Sequence, residues 1–287
     1  MSEIIYSVDI NKNSSITLRD IIRLDEIKSV DVDQTSGKYV VSSPRNESGD
    51  VDGEVTIYPQ SPQLGIDVPI VLKDFEQVSS LYGPYDSRFD YIRRKLWIAD
   101  TGNNRVLKIN IDTRMVETII TDIIYPHALA VNINKGGVFV KAYSSFDTTG
   151  VVYSFSPSGT QLAKFEYLLG ATFSSSSSSS SETISSSTSI DVIPTLPFAS
   201  SIVYDHVRSR VWWVAETKIY MCDTRNMQVN VYDISASNIE NLRSIDVELS
   251  SGNVLVVGNF ITSTVDWTIA QISRDNNKFL GNAYIAI

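Results

Sequence analysis

Few side chains in this sequence could carry out nucleophilic, acid–base or metal-assisted chemistry. The 287 residues include two histidines, His127 and His206, and one cysteine, Cys222. Because a catalytic zinc needs about three His, Cys or carboxylate ligands, these residues alone predict no metal site. Cys222 lies in the apolar run KIYMCD, where a buried small hydrophobic residue is expected rather than a nucleophile. Since a G-x-S-x-G motif is also missing, the sequence argues against a metal enzyme or serine hydrolase and implies no cofactor.

The elements that must position these side chains are pairs of short apolar strands. The clearest pair is LWIADTGNNRVLKINIDT, Leu96 to Thr113, and weaker copies of its pattern recur along the chain. A short apolar segment precedes each pair and ends in an acidic or amide residue, at Asp33, Asp90, Asn132, Asp205 and Glu248. The repeat length is about 40 residues, apart from two intervals that contain a polar loop and a serine tract. This period predicts an all-β fold, a single β-propeller of five or six four-stranded blades.

The segment LWIADTGNNRVLKI resembles the NHL repeat, whose consensus runs apolar-apolar-Ala-Asp-Thr/Ser-Gly-Asn-Asn-Arg-Val/Ile. The match covers Leu96 to Asp112, and the other blades keep the strand pattern but lose Asn-Asn-Arg. The resemblance implies a propeller in which Asp100, Asn104 and Arg105 hold the turn between the second and third strands of a blade. Asp and Asn side chains readily bond nearby turn backbone, which favours a structural role for Asp100 over a catalytic one.

Alignment of the repeats places one residue of each inner strand around the mouth of the central channel. These residues are Lys28, Tyr85, His127, Ser200 and Arg243, and the adjacent loops add Tyr143, Glu216 and Asn259. Some six-bladed relatives of NHL proteins are metal-dependent lactonases or lyases with metal ligands at this level. Here the mouth offers one histidine, and the next ring position adds one carboxylate, Asp86, which together are too few for a catalytic zinc. Cations and aromatic residues on a rigid scaffold are typical of a recognition surface.

Two segments stand apart from the repeats. Residues 1–26 alternate in polarity on either side of the polar turn Asn11 to Ser15, and predict a β-hairpin. The propeller domain then spans residues 27–287 and contains a serine-rich insertion, residues 171–197, whose composition predicts flexibility. Since the last strands supply a complete blade, the hairpin either closes the ring of its own chain or pairs with a neighbouring subunit. We expect docking within the same chain.

Composition excludes several functional classes. The net charge is −9, and nucleic-acid binding is not expected because it needs a basic patch. No window reaches the ~18 uninterrupted apolar residues of a membrane span. The start of the sequence has no basic region followed by an apolar run, so no signal peptide is predicted. These features favour a cytoplasmic or virion-associated protein.

The sequence therefore predicts a non-enzymatic module for interaction or assembly, which binds a protein partner or its own copies. Two alternatives remain open. One is a structural component of a virion, filament or surface assembly, suggested by the surplus hairpin and the serine tract. The other is a propeller hydrolase or lyase with its site at the channel mouth near His127.

Overall fold

The computed structural model describes residues 2–10, 16–25, 27–44, 53–59, 68–143, 149–168, 201–215, 217–234, 239–260, 267–272 and 279–285. Nearly all regular structure in these ranges is antiparallel β-strand. The one helix among them is a single 3-10 turn, Thr101–Asn103, and none of the described helical structure is long and apolar enough to cross a membrane. The serine-rich insertion and Glu216 lie outside the described residues.

The described strands form five four-stranded sheets and one separate hairpin, and each sheet pairs its strands in sequence order. The hairpin consists of β1 (Ser2–Ile10) and β2 (Ile16–Asp25). Blade 1 contains β3 (Ser29–Val32), β4 (Tyr39–Ser43), β5 (Glu54–Tyr58) and β6 (Ile70–Leu72). Blade 2 contains β7 (Pro84–Asp90), β8 (Lys95–Asp100), β9 (Arg105–Asn110) and β10 (Val116–Ile120).

The remaining three blades follow the same order. Blade 3 contains β11 (Ile124–Asn132), β12 (Gly137–Tyr143), β13 (Thr149–Phe155) and β14 (Gln161–Leu168). Blade 4 contains β15 (Ile202–Asp205), β16 (Arg210–Ala215), β17 (Lys218–Asp223) and β18 (Gln228–Asp233). Blade 5 contains β19 (Ile239–Val247), β20 (Val254–Phe260), β21 (Trp267–Ile272) and β22 (Phe279–Ile285).

Apolar clusters join successive blades, because alternation along each strand gives a sheet two apolar faces. Separate clusters lie between blades 1 and 2, 2 and 3, 3 and 4, and 4 and 5. The adjacent residues Trp212 and Trp213 show the alternation directly. Trp212 packs in the cluster shared with blade 5, whereas Trp213 packs in the cluster shared with blade 3. Each blade is therefore held by its neighbours.

The turn between the first two strands of blade 2 also forms hydrogen bonds with blade 3. The Asp90 carboxylate accepts the backbone N–H of Arg93 at 3.2 Å, which shapes the turn. The Arg93 guanidinium then donates to the carbonyl of Ile133 at 2.9 Å. It lies against Gly136, where φ is +80° and an added Cβ would come within 2.7 Å of Arg93 Nε. Glycine is required there both by the backbone angle and by the arginine.

Blade 4 repeats this clasp onto blade 5. Asp205 accepts the N–H of Arg208 at 3.1 Å, and the Arg208 guanidinium donates to the carbonyl of Leu249, also at 3.1 Å. Gly252 is the counterpart of Gly136. Its φ is +80°, and an added Cβ would lie only 2.6 Å from the Arg208 guanidinium. An Asp-x-x-Arg turn in one blade and a glycine in the next thus form one structural unit.

The innermost strands are tied by a belt of hydrogen bonds from backbone to side chain. In each tie, a backbone N–H of one blade donates to a side-chain oxygen of the preceding blade. The described ties are Ser87 N to Ser29 Oγ (3.2 Å), Phe89 N to Asp31 Oδ2 (2.8 Å), Leu129 N to Asp86 Oδ2 (2.7 Å) and Ile245 N to Ser201 Oγ (2.7 Å). Asp86 is therefore a structural residue of the belt.

Candidate functional site at the channel mouth

The channel mouth is lined by residues at equivalent positions at or near the start of the innermost strands β3, β7, β11 and β19. Lys28 directly precedes β3, Tyr85 lies in β7, His127 in β11 and Arg243 in β19. Lys28 Nζ lies 5.4 Å from the centroid of the Tyr85 ring, which links blades 1 and 2. The His127 ring lies 5.2 Å from the ring of Tyr143, at the end of β12. Four of the predicted mouth residues are thus brought together in two adjoining pairs.

The other predicted mouth residues contribute less to the described site. Arg243 is exposed, and its carbonyl accepts the backbone N–H of Ser201 at 3.0 Å. Asn259 pairs with Glu240 and Trp267 through the backbone of β20, and its side chain lies outside the described part of the structure. Glu216 and Ser200 are outside the described residues as well.

The surroundings of His127 at the mouth keep its ring neutral at physiological pH. The residue is only 7% exposed, and its Nδ1 lies 3.0 Å from the carbonyl oxygen of Tyr125. Burial, reinforced by the nearby Lys141 amine, lowers the pKa of His127 to about 3. A neutral ring bonded to a carbonyl must carry its proton on Nδ1, so Nε2 is an acceptor. His127 can accept a hydrogen bond but cannot supply a proton at neutral pH.

Lys141 is a buried residue beside the mouth that the sequence analysis missed. It lies in β12, is 1% exposed, and its Nζ donates to the carbonyl of Val214 in blade 4 at 2.7 Å. Its Nζ also lies 5.6 Å from the centroid of the Tyr167 ring. Burial lowers the pKa of Lys141 to about 7. A single lysine inside the apolar strand GVFVKAY was the available signal, because lysine is almost never fully buried without a partner.

Aromatic rings extend from Lys141 into blade 4. The rings of Tyr167 and Tyr220 lie 5.4 Å apart, and the rings of Tyr220 and Trp213 are stacked at 5.3 Å. Burial raises the pKa of Tyr167 well above its usual value, so its hydroxyl stays protonated. The group of Lys141, Tyr167, Tyr220 and Trp213, here called the aromatic cluster, fixes the positions of β12 and β16 beside the mouth.

The turn predicted from the NHL resemblance supports the mouth from blade 2. Asp100 is fully buried, accepts the backbone N–H of Tyr82 at 2.8 Å, and forms a salt bridge with Arg105 at 2.6 Å. Burial raises the pKa of Asp100, against the opposing effects of these bonds. Asn104 has a left-handed conformation, φ 52°, and its side-chain oxygen accepts the N–H of Tyr125 at 2.9 Å. Since Tyr125 in turn bonds His127, the turn helps to place the histidine.

No group of three or more His, Cys, Asp or Glu residues that could hold a metal ion occurs in the described ranges. Cys222 is fully buried in β17, and burial raises the pKa of its thiol to about 12. A thiol with that pKa has almost no thiolate at neutral pH and is a poor nucleophile. In the basic run Arg93-Arg94-Lys95, Arg94 pairs with Asp112 and Lys95 pairs with Glu117.

A cavity of about 550 Å³ occupies the other end of the channel, among the innermost strands of all five blades. Arg88 lies in its wall and forms salt bridges with Asp86 at 3.1 Å and Asp31 at 3.8 Å. Burial raises the pKa of Asp31, although Arg88 opposes this effect. His206 also lines this end, on the opposite side from His127. The two histidines therefore do not share a site.

Comparison with solved structures identifies the architecture. The chain is similar to one described as "Crystal structure of Nidogen/Laminin Complex", with a TM-score of 0.59 over 98% of this chain and 93% of that chain. The fold is a β-propeller. The predicted fold class is confirmed, while the sequence identity of 8% shows nothing beyond the fold. Another structure, "Kuenenia stuttgartiensis Hydrazine Synthase", covers 67% of this chain and 46% of that chain, with 11% identity and a TM-score of 0.47.

Sequence comparison adds no family. No family model matches the chain, and no curated protein matches it. The likeness to the NHL repeat therefore remains one of a single turn and its flanking strands, Leu96 to Asp112.

Proposed function

We propose that the protein is a non-enzymatic interaction module that recognises a protein partner at the channel mouth. The observation that carries this proposal is the contact of Lys28 with Tyr85, next to the contact of Tyr143 with His127. Lys28 is exposed, and both tyrosines are half-buried, so this surface offers a cation and two aromatic faces. Aromatic and cationic residues held in a well-packed setting are the usual centres of binding energy in protein interfaces.

The support beneath the mouth favours recognition by a rigid surface. The aromatic cluster holds blades 3 and 4 together, and Asn104 fixes Tyr125 beside His127. A surface that is already ordered loses little conformational entropy when a partner binds. One solved structure that shares this fold is described as a complex of nidogen with laminin, which supports a protein partner as the ligand class for this chain too.

The chemistry of the mouth favours binding over catalysis. His127 is held neutral by burial, and the carboxylates Asp86 and Asp100 already take part in salt bridges. A hydrolase or lyase would need a group near the mouth that gains and loses protons near pH 7 and reaches the substrate. Lys141 has the appropriate pKa, but it is 1% exposed and donates to Val214.

The test is a comparison of binding by three forms of the full chain. Partners captured by the wild type are identified, purified and titrated against the double variant Lys28→Ala/Tyr85→Ala and against Ile92→Ala. Ile92 is 58% exposed in a turn at the far end of the channel, which makes it a matched control. We expect the double variant to bind at least about tenfold more weakly and Ile92→Ala to bind normally. Equal binding by all three forms would exclude the mouth as the recognition surface.

Light scattering on the same proteins covers the case in which the partner is another copy of the chain. If copies associate through the mouth, the wild type and Ile92→Ala form oligomers at the same concentration, and the double variant is monomeric. An oligomer that survives the double variant would place the contact elsewhere.

A further inference from the structure

The junction between blade 5 and blade 1 differs from the other four at its innermost strands. On β3, the side chains that face away from blade 2 are Val30 and Val32, which are 37% and 49% exposed. The equivalent side chains of the other blades are buried, apart from half-buried Tyr204: Ser87 (0%), Phe89 (3%), Leu129 (0%), Val131 (7%), Ile202 (4%), Ile245 (4%) and Val247 (7%). The apolar inner edge of blade 1 is therefore uncovered.

The facing wall of blade 5 is uncovered too. Ser244 and Asp246 of β19 are exposed and line the channel cavity. The Ser244 hydroxyl lies 3.4 Å from that of Ser201 in blade 4, and Asp246 interacts electrostatically with Arg88 across the channel. The equivalents of Ser244 and Asp246 in blade 2 are buried Asp86 and half-buried Arg88, and those in blade 3 are Ala128 and Ala130, both buried. Both walls thus lack cover at the same depth, and the channel cavity reaches the two of them.

The hydrogen-bonded belt is also open at this place, as it is between blades 3 and 4, where Ala128 has no side-chain acceptor. In the belt, the side-chain oxygens of Ser29, Asp86 and Ser201 each accept a backbone N–H of the next blade. By alignment, Ser244 is the next acceptor and the N–H of Val30 is the next donor. Within the described ranges no hydrogen bond joins these two, and no apolar cluster joins blade 5 to blade 1.

The gap is confined to the inner strands. On the second strand of blade 1, Val41 and Tyr39 share the face of Val30 and Val32, yet they are 1% and 7% exposed. On the outermost strand, Val71 is 53% exposed, which is normal because Ile119 and Val231 occupy outer strands of other blades and are 46% and 53% exposed. Cover is therefore missing only at the innermost strand of blade 1, on the face that would meet the inner strands of a preceding blade.

The position of the hairpin in the chain explains this pattern. β2 ends at Asp25 and β3 begins at Ser29, a link as short as the one between the outermost strand β10 and the innermost strand β11. In the chain, β1 and β2 therefore precede blade 1 as the two outer strands of an earlier blade would, and they form a two-stranded sheet. We propose that this hairpin is the outer half of a sixth blade, and that the gap between blades 5 and 1 binds a β-hairpin of a partner protein as its inner half.

The walls of the gap specify the chemistry of that partner segment. Its inner strand must present apolar residues at alternate positions to cover Val30 and Val32. A Lys or Arg on its other face would pair with Asp246, and a backbone N–H would bond the Ser244 hydroxyl. Because this chain carries a net charge of −9, a second copy is disfavoured as the occupant and a basic hairpin is favoured. This site is separate from the channel mouth and does not depend on the function proposed for it.

A probe for the gap can be taken from the protein itself. A synthetic peptide with the sequence of residues 201–215 reproduces the first two strands of blade 4, which end in apolar residues and carry Arg208 and Arg210 against Asp205. Its affinity is measured by titration calorimetry for the wild-type chain, for Val32→Asp, and for Val231→Asp. Val231 is a valine of similar exposure on an outer strand, so it controls for the added charge. Melting curves verify that each variant is folded.

We expect the peptide to bind the wild type and Val231→Asp equally, and to bind Val32→Asp at least about tenfold more weakly. A peptide of scrambled sequence should not bind, and Lys28→Ala/Tyr85→Ala should leave binding unchanged, which separates this site from the mouth. Absence of binding to the wild type, or equal loss in both Asp variants, would overturn the proposal.

Two further outcomes assign the gap to another occupant and so overturn the proposal. If the hairpin β1–β2 fills the gap itself, deletion of residues 1–26 will strengthen peptide binding instead of weakening it. If a second copy fills the gap, the wild type will be an oligomer that Val32→Asp dissociates. A monomer whose peptide binding weakens on deletion of residues 1–26 supports the half-blade.

Discussion

Two basic side chains beside the channel mouth, His127 and Lys141, lie in positions where a charge is costly. Burial lowers the pKa of both, to about 3 and about 7. The neutral His127 ring donates a hydrogen bond from its single N–H to the carbonyl of Tyr125. The Lys141 amine can donate to the carbonyl of Val214 whether or not it is charged. Hydrogen bonds therefore position these two side chains, and burial favours their neutral forms.

The first prediction concerns the pH dependence that Lys141 imposes on stability. Its pKa is about 7 in the folded chain and near 10.5 when unfolded, so between these values the unfolded chain binds more protons. The free energy of unfolding should therefore rise with pH in this window, by up to about 1.4 kcal/mol per pH unit, and should level off below pH 7, where both states bind the proton. Urea titrations at pH 7, 8 and 9 should show this slope in the wild type and in Lys164→Met, whose lysine is exposed. Lys141→Met should lack the slope, and an unchanged slope in that variant would contradict the assignment.

The second prediction concerns Asp100. Removal of this fully buried carboxylate by Asp100→Ala leaves Arg105 without its charge partner and the N–H of Tyr82 without its acceptor. We expect the free energy of unfolding to fall by about 3–5 kcal/mol, as for other broken buried pairs. Asp112→Ala, which removes an exposed partner of Arg94, is the control and should change little. A small effect of Asp100→Ala in urea titration would show that the turn tolerates its loss.

At the scale of elements, the strand pairs and their turns could be predicted because alternation and acidic turn residues are local signals. Asp90, Asn132 and Asp205 are the last residues of inner strands, and Asp33 and Glu248 directly follow theirs, as the spacing indicated. The sequence did not reveal the belt, because Ser29, Asp86 and Ser201 bond residues about one blade length away in the chain. It also placed His127 at the mouth without showing that Tyr143 and Lys141 enclose it. Burial depends on packing between blades, which a single repeat does not encode.

The third prediction concerns the clasp between blades 4 and 5. Gly252→Ala introduces a side chain at φ +80° and brings its Cβ to about 2.6 Å from the Arg208 guanidinium. We expect a loss of about 1–3 kcal/mol from backbone strain and displacement of the arginine. In Arg208→Ala the alanine at position 252 should cost less, because the contact with the guanidinium is gone and only the backbone strain remains. A double-mutant cycle measures this difference, and additive effects would show that the two residues act separately.

At the scale of the whole molecule, the described blades are joined in series, and the hairpin precedes the first of them. On the face of blade 1 turned away from blade 2, Val41 and Tyr39 are buried, while Val30 and Val32 are not. Among the described blades, the inner strand is therefore uncovered on this face in blade 1, and the stability of the chain should be most sensitive there.

The fourth prediction tests that sensitivity. Deletion of residues 1–26 should lower the melting temperature of the monomer, because a two-stranded hairpin is stable only when it is docked and its loss uncovers apolar surface. Differential scanning calorimetry with light scattering measures both stability and oligomeric state. A truncated protein with an unchanged melting temperature that has only lost its oligomeric partners would mean that the hairpin docks on a neighbouring subunit.

Because every described sheet pairs strands in the order in which they occur in the chain, most contacts within a blade close short loops. Short loops have a small closure entropy, so each blade can collapse without waiting for distant segments. The Arg93 and Arg208 clasps then give assembly a direction, since each arginine needs a carbonyl from the blade that follows it. During synthesis, one blade can form while the next is still emerging, and its clasp engages only when that next turn is complete. Folding of this protein should therefore advance blade by blade from the N-terminal side, with the junction between blade 5 and blade 1 as its slowest step.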